Sequence, residues 1–230
     1  MWICGIETTT RSGEVALLKD EKPAGVRSFE GQCAHAAGIF PSLRGLLRSC
    51  GIGPADVDLF VVDRGPGSYT GVRVGVAAAK VLAFALERPV VGVGLFEVIA
   101  QNLPSDLTAP AAACILDARL GQVYAALYEL PERRPVFLNF VGSPEELLPR
   151  LPQGTVVFGD GIMRYSEVFG GFERGDADWA RPRASVVARL GARRFLEQGA
   201  EELDKLTPLY LRLSVAEQKL RQREAEADGP

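Results

Sequence analysis

Cys4-Gly5-Ile6-Glu7-Thr8-Thr9-Thr10-Arg11-Ser12-Gly13-Glu14-Val15-Ala16-Leu17 opens the chain, and Cys114-Ile115-Leu116-Asp117-Ala118-Arg119-Leu120-Gly121-Gln122-Val123-Tyr124-Ala125-Ala126-Leu127 stands near its middle. Each stretch is an apolar strand ending in one acid, followed by a short polar turn, a Gly-x-Val step and a second apolar strand. Each also begins a run of several strands, so the pair marks the start of two similar units. A duplicated α/β architecture with a cleft between its halves is the economical account.

Working outward from the first copy, strands are expected at residues 2–6, 14–18 and 26–29. Ala36, Phe40, Leu43, Leu47 and Cys50 keep helical spacing and predict a helix over 34–50, ended by Gly51, Gly53 and Pro54. Residues 59–63 read as a short apolar strand, 70–87 as a longer helix stopped by Pro89, 90–93 as a strand and 95–102 as a helix. Leu103-Pro104-Ser105-Asp106 and Pro110 carry the punctuation of a joint. They divide the chain into units 1–105 and 106–216. Beyond the joint, strands are expected at 112–117, 123–130, 136–141 and 155–158, and a helix over 185–198. Residues 217–230 are charged, end in Asp-Gly-Pro, and read as a frayed tail.

Composition narrows the function classes. Of 230 residues, 47% are hydrophobic and 24% charged, an ordinary globular balance. The 26 basic and 29 acidic side chains leave a net charge of −3, which argues against strong binding of a polyanion by the chain alone. Cys4, Cys33, Cys50 and Cys114 form no Cys-x-x-Cys pair and read as buried, reduced thiols. No basic-then-apolar leader opens the sequence, and no uncharged apolar run approaches the roughly 20 residues of a membrane helix. A cytoplasmic protein without membrane contact is therefore expected.

Asp63-Arg64-Gly65-Pro66-Gly67-Ser68-Tyr69-Thr70-Gly71-Val72-Arg73-Val74-Gly75 joins a strand to the long helix. Gly65, Pro66 and Gly67 fix a tight loop, and Ser68 or Thr70 is placed to cap the helix N-terminus. Free N–H groups at such a helix end suit an anion. No Gly-Lys-Ser/Thr follows, so the loop is no Walker A sequence, and it contains no Gly-x-Ser-x-Gly nucleophile elbow. In the helix itself Val72, Val74, Val76, Val81, Leu82, Phe84 and Leu86 surround the axis, while Arg73, Lys80 and Glu87 fall on one stripe. Gly71, Gly75 and Ala79 form a strip where another backbone fits closely. A helix apolar on all sides is either enclosed by its own domain or covered by a partner, and both readings stay open.

Duplicated units that open with a strand, an acid and a hairpin turn resemble the actin/Hsp70/sugar-kinase superfamily. The resemblance implies two turns facing each other across a cleft to hold nucleotide phosphates, with Glu7 and Asp117 as paired acids. Contacts to an anion or nucleotide would then come from Glu7, Thr8, Thr9, Gly67, Ser68, Thr70 and Asp117. The plain structural role for each carboxylate, capping its turn through nearby amides, stands beside this reading. The first turn lacks a Gly directly after its acid, which weakens a phosphate cradle there.

Residues 65–75 closely match the hallmark loop of the TsaB (YeaZ) family, and residues 117–124 resemble its second hallmark. The opening hairpin and Pro208-Leu209-Tyr210-Leu211-Arg212 also fit, so the similarity spans about residues 1–213. Family members usually carry Asp where this chain has Glu7. The resemblance implies a duplicated actin-like fold and a non-catalytic subunit that pairs with TsaD, together with the ATPase TsaE. That assembly places a threonylcarbamoyl group on the adenosine beside the anticodon, and tRNA is reached only through the complex. It further implies a partner face on the two long helices, at Phe40, Leu43, Leu47, Arg73, Val76, Lys80 and Phe84, and a homodimer when the chain is alone. No cofactor, metal or catalytic residue is expected. The catalytic relative holds a metal with a His-x-x-x-His pair, and this chain has the single histidine His35. Arg183, Arg189, Arg193 and Arg194 read as a small basic surface patch. The competing functions are an independent ATPase or small-molecule kinase of the actin-like class, and a peptidase, for which no residue pattern speaks.

Overall fold

The structure is a computed structural model that describes residues 1–30 and 34–212, without the side chains of residues 34–36. The expectations for Cys33, for the side chain of His35 and for the tail 217–230 lie outside the described residues.

The first unit runs β1 (Trp2–Glu7), β2 (Gly13–Lys19), β3 (Lys22–Phe29), α1 (Ala34–Ser49), β4 (Leu59–Asp63), α2 (Tyr69–Ala85), β5 (Val90–Val93) and α3 (Leu95–Ala100). The second runs β6 (Ala111–Arg119), β7 (Gln122–Glu129), β8 (Arg134–Gly142), α4 (Pro144–Leu147), β9 (Val156–Phe158), α5 (Asp160–Arg164), α6 (Ser166–Phe169), β10 (Glu173–Arg174) and α7 (Ala184–Gln198). Their sheets have the orders β3-β2-β1-β4-β5 and, read from the matching edge, β8-β7-β6-β9-β10. In both, the leading strand pairs antiparallel with the next one and parallel with the fourth: Cys4 lies opposite Phe60, and Cys114 opposite Phe158. The repeat is therefore one of topology and register as well as of sequence.

Burial explains the strand patterns. From Ile3 to Glu7 every residue of β1 is buried, because both faces of the first sheet are covered. One face packs under α1 and α2 through Cys4, Ile6, Val15, Leu17, Phe60 and Val62. On the other face Ile3, Leu18, Leu59, Val61 and Val91 meet Val187, Ala188 and Ala192 of α7. Edge strand β3 is mostly exposed and carries Pro23, as an edge permits. Cys4 and Cys114 are buried free thiols, and burial pushes Cys4 up to about 12.

The position of α7 corrects the division at residues 105/106. That boundary separates the two sheets, yet α7 comes from the second half of the chain and packs across β1, β2, β4 and β5 of the first. Glu14, at the start of β2, accepts a hydrogen bond from the Ala184 N–H at 2.8 Å and so caps this helix from a strand 170 residues away. The close fit depends on Gly191, where a Cβ would lie 2.1 Å from Val61 Cγ1. Gly191→Val is expected to destabilise the fold by about 1–3 kcal/mol through overpacking. Thermal or urea unfolding reads the loss, and an unchanged midpoint would contradict this packing.

Candidate functional site

The first hairpin turn is seated on the N-terminus of α2. Thr8 donates its hydroxyl to the Gly71 carbonyl at 2.8 Å, and the Thr9 carbonyl accepts the Ser68 N–H at 2.7 Å. Ser68 caps α2 by accepting the Gly71 N–H at 3.2 Å. A Cβ at Gly75 would lie 2.1 Å from Thr8 Oγ1, so this glycine admits the turn. Ala79, fully buried, belongs to the first unit's core. The strip Gly71, Gly75 and Ala79 is thus filled from within the chain, and the partner backbone considered for it is replaced by the chain's own Thr8.

Below this contact lie two buried acids. Ile6 of β1 pairs with Val62 of β4, which brings the following Glu7 and Asp63 to the same level. Glu7 accepts both the backbone N–H and the hydroxyl of Thr9. Asp63 Oδ1 accepts the Gly65 N–H at 2.9 Å, while its Oδ2 has no hydrogen-bond partner among the described residues. Burial raises Glu7 from 4.5 to about 7, against the lowering effect of the Thr9 bonds. Burial first, and then the neighbouring Glu7, hold Asp63 well above the usual carboxylate range. Asp63 was not singled out from sequence, although an acid closing an apolar strand is the same signal that marked Glu7 and Asp117.

These acids make stability depend on pH. Between about 4.5 and about 7 the folded chain keeps a proton on Glu7 that the unfolded chain releases. Stability therefore falls as pH rises through that window, by up to about 1.4 kcal/mol per unit, and Asp63 extends the fall upward. Melting temperature is expected to drop between about pH 5 and about pH 8. Glu7→Gln, which keeps an acceptor for Thr9, should flatten that drop. A slope identical to that of the wild type would contradict the assignment.

In the second unit Asp117 accepts the Arg119 N–H at 2.9 Å and pairs with Arg119 at 3.2 Å and Arg164 at 3.5 Å. Its own N–H donates to Asp160 at 2.9 Å. Both acids of the repeat thus cap their turns, as the plain reading has it. Between the two hairpins lies a cleft of about 680 Å³. Of the residues assigned to an anion or nucleotide, Thr9, Gly67, Ser68 and Asp117 line it. Glu7 and Thr8 do not, being buried at 2% and 0% exposure, and exposed Thr70 also lies outside the lining. The expected facing pair of acids is therefore corrected: Asp117 borders the cleft and Glu7 is sealed from it. Among the described residues no group of three His, Cys, Asp or Glu side chains is placed to hold a metal.

The long helices divide the expected partner face. Leu43, Leu47 and Val76 point into the first unit's core and are almost fully buried, which removes them from any surface. Phe40 and Phe84 are 46% and 75% exposed, and Val81 is 57% exposed. Arg73, Ala77, Val81 and Phe84 form one outward stripe of α2, with Arg73 over the Tyr69 ring at 5.4 Å. Lys80 is half-buried and donates to the Leu206 carbonyl at 3.3 Å. Two members of the expected basic patch are engaged within the chain. Arg183 pairs with Asp178, and Arg194 bonds the Gly92 carbonyl and Glu97, each at 2.6 Å. No helix among the described residues is long and apolar enough to cross a membrane.

Two sheets of one topology, each opened by an acid-ended strand and hairpin turn, with a cleft between them, define a duplicated actin-like chain. A family model described as TsaD: tRNA N6-adenosine threonylcarbamoyltransferase matches residues 16–158. The tRNA threonylcarbamoyladenosine biosynthesis protein TsaB of Bacillus subtilis (strain 168) is 32% identical over 236 residues, covering 95% of this chain and 97% of the relative. Its namesake in Escherichia coli (strain K12) is 30% identical over 232 residues, covering 96% and 98%. YeaZ from Pseudomonas aeruginosa superposes with a TM-score of 0.76 at 28% identity, covering 91% of this chain and all of that one. The chain belongs to the TsaB family and carries the TsaD-type domain over residues 16–158.

Proposed function

We propose that this chain is a non-catalytic partner subunit in tRNA threonylcarbamoyladenosine biosynthesis, pairing with a TsaD-type catalytic subunit and working with a TsaE-type ATPase. The pathway follows from the nearly full-length similarity to proteins named for it. The observation that carries the subunit role is the outward stripe of α2, where Ala77, Val81 and Phe84 stand exposed, while α1, which packs against α2, exposes Phe40. Exposed apolar side chains clustered on neighbouring helices, with a cation at one end, suit a protein partner. In the absence of TsaD the same stripe is available to a second copy of the chain. Contact with tRNA then comes through the complex, consistent with a net charge of −3.

The acids support a structural role in this chain. Glu7 and Asp63 are sealed below the first turn, and Asp117 is held by two arginines and its own turn. Neither turn presents an unoccupied carboxylate to a substrate in the cleft.

Mixing this chain with the TsaD protein of the same organism, followed by size-exclusion with light scattering, tests the pairing. Wild type is expected to form a heterodimer. Phe84→Glu should weaken it by about thirtyfold or more, as loss of a central aromatic contact does. Leu196→Glu, which alters a 71% exposed leucine on α7, should leave it intact. Equal complex formation by wild type and Phe84→Glu would contradict the proposed face.

A further inference from the structure

The segment after α7 returns along the first unit and reaches the second at Arg212. Its root is fixed: the Glu201 N–H donates to the Val90 carbonyl at 2.9 Å, and Leu206 is fully buried in the core beneath α2. Lys80 holds the Leu206 carbonyl from α2, and the Leu209 N–H donates to the Arg64 carbonyl at 2.7 Å. Tyr210 then stacks on Tyr69 at 4.9 Å, against the loop that leads into α2. Two residues later the chain has crossed the cleft. Arg212 Nη1 lies 2.7 Å from the Ala118 carbonyl, 3.0 Å from the Arg119 carbonyl and 3.4 Å from Gln122 Oε1.

The feature that Arg212 grips is the β6–β7 turn, where Arg119, Leu120 and Gly121 follow one another with φ of 65°, 52° and 75°. Arg119 pairs with Gln122 across a two-residue loop, the tight hairpin geometry in which the loop residues take positive φ. The Arg212 guanidinium donates to the carbonyls of residues 118 and 119 at the base of this turn. Tyr69 and Tyr210 line the cleft on the first unit's side, and Asp117, Ala118 and Arg119 line it on the second. Arg212 lines it as well.

We propose that residues 206–212 are a built-in clamp: rooted in the first unit, they latch the β6–β7 turn through Arg212 and tie the two walls of the cleft together with no external ligand. In this arrangement the chain's own segment after α7 does the bridging between two hairpin turns that a bound molecule would otherwise do. The clamp also lies along α2 at Lys80 and Tyr69, so the helix with the outward stripe and the latch on the second unit are joined by one short segment. The inference stands on these contacts and does not depend on the identity of any partner.

Hydrogen exchange followed by mass spectrometry on the full chain tests it. Arg212→Ala, shown folded by circular dichroism, is expected to speed exchange about tenfold or more in the turn at 118–122. It should also speed exchange in the opposite wall, at 9–12 and 65–69, because release of the latch frees both sides. Arg212→Lys keeps the charge but not the guanidinium fork, and should show the same pattern to a lesser degree. It serves as the test variant if the alanine protein does not fold. Arg150→Ala, at an exposed arginine that stacks on Phe140, should change neither wall. Exchange unaltered at 118–122, or altered there while 9–12 and 65–69 keep wild-type protection, would overturn the clamp.

Discussion

The seating of the first hairpin turn on α2 is the contact on which the remaining features depend. The Thr8 hydroxyl and Thr9 carbonyl use up backbone partners at Gly71 and Ser68, and Gly75 leaves the room for them. Backbone donors at a helix N-terminus are what an anion would use, and here part of that set is committed to the chain itself. The same contact covers Glu7 and Asp63, which accounts for their raised proton affinity. It also fixes the rotation of α2, turning Val72, Val76 and Ala79 inward and leaving Arg73, Ala77, Val81 and Phe84 outside.

The two halves, alike in topology, are thereby put to different uses. The turn of the first is docked on its own helix. That of the second stands at the cleft with left-handed residues at its tip, and is held by Arg212 from the far end of the chain. Three elements from the second half of the sequence, α7, the buried Leu206 and the segment to Arg212, all attach to the first unit or bridge the two. Such ties favour a single arrangement of the units.

The duplication was legible because a strand, an acid and a Gly-x-Val turn recur in order, and the two sheets repeat one another strand for strand. Helix and strand positions followed from periodicity, with α1 and α2 ending within two residues of the expected limits. Which side of each long helix faces the core was harder to read. Phe40 sits at the same helical spacing as Leu43 and Leu47, and α2 is apolar on every side, so periodicity could not separate core from surface. The resemblance names whole helices as the partner face and not their sides, and Leu43, Leu47 and Val76 lie inside. The return of α7 to the first sheet, the Glu14 cap and the Arg212 latch link residues about 90 to 170 positions apart, and no local pattern encodes them. Asp63 ends an apolar strand as Glu7 and Asp117 do, but the Gly-Pro-Gly loop that follows it masks that signal.

If the proposed clamp of residues 206–212 ties the two units together, the isolated chain has no need of a nucleotide to bridge them. Calorimetric titration of the isolated wild-type chain with ATP and magnesium tests this most directly. The account predicts no stoichiometric binding at concentrations where an actin-like kinase saturates. Binding of one ATP per chain with roughly micromolar affinity would contradict it, and would return the cleft to a catalytic reading.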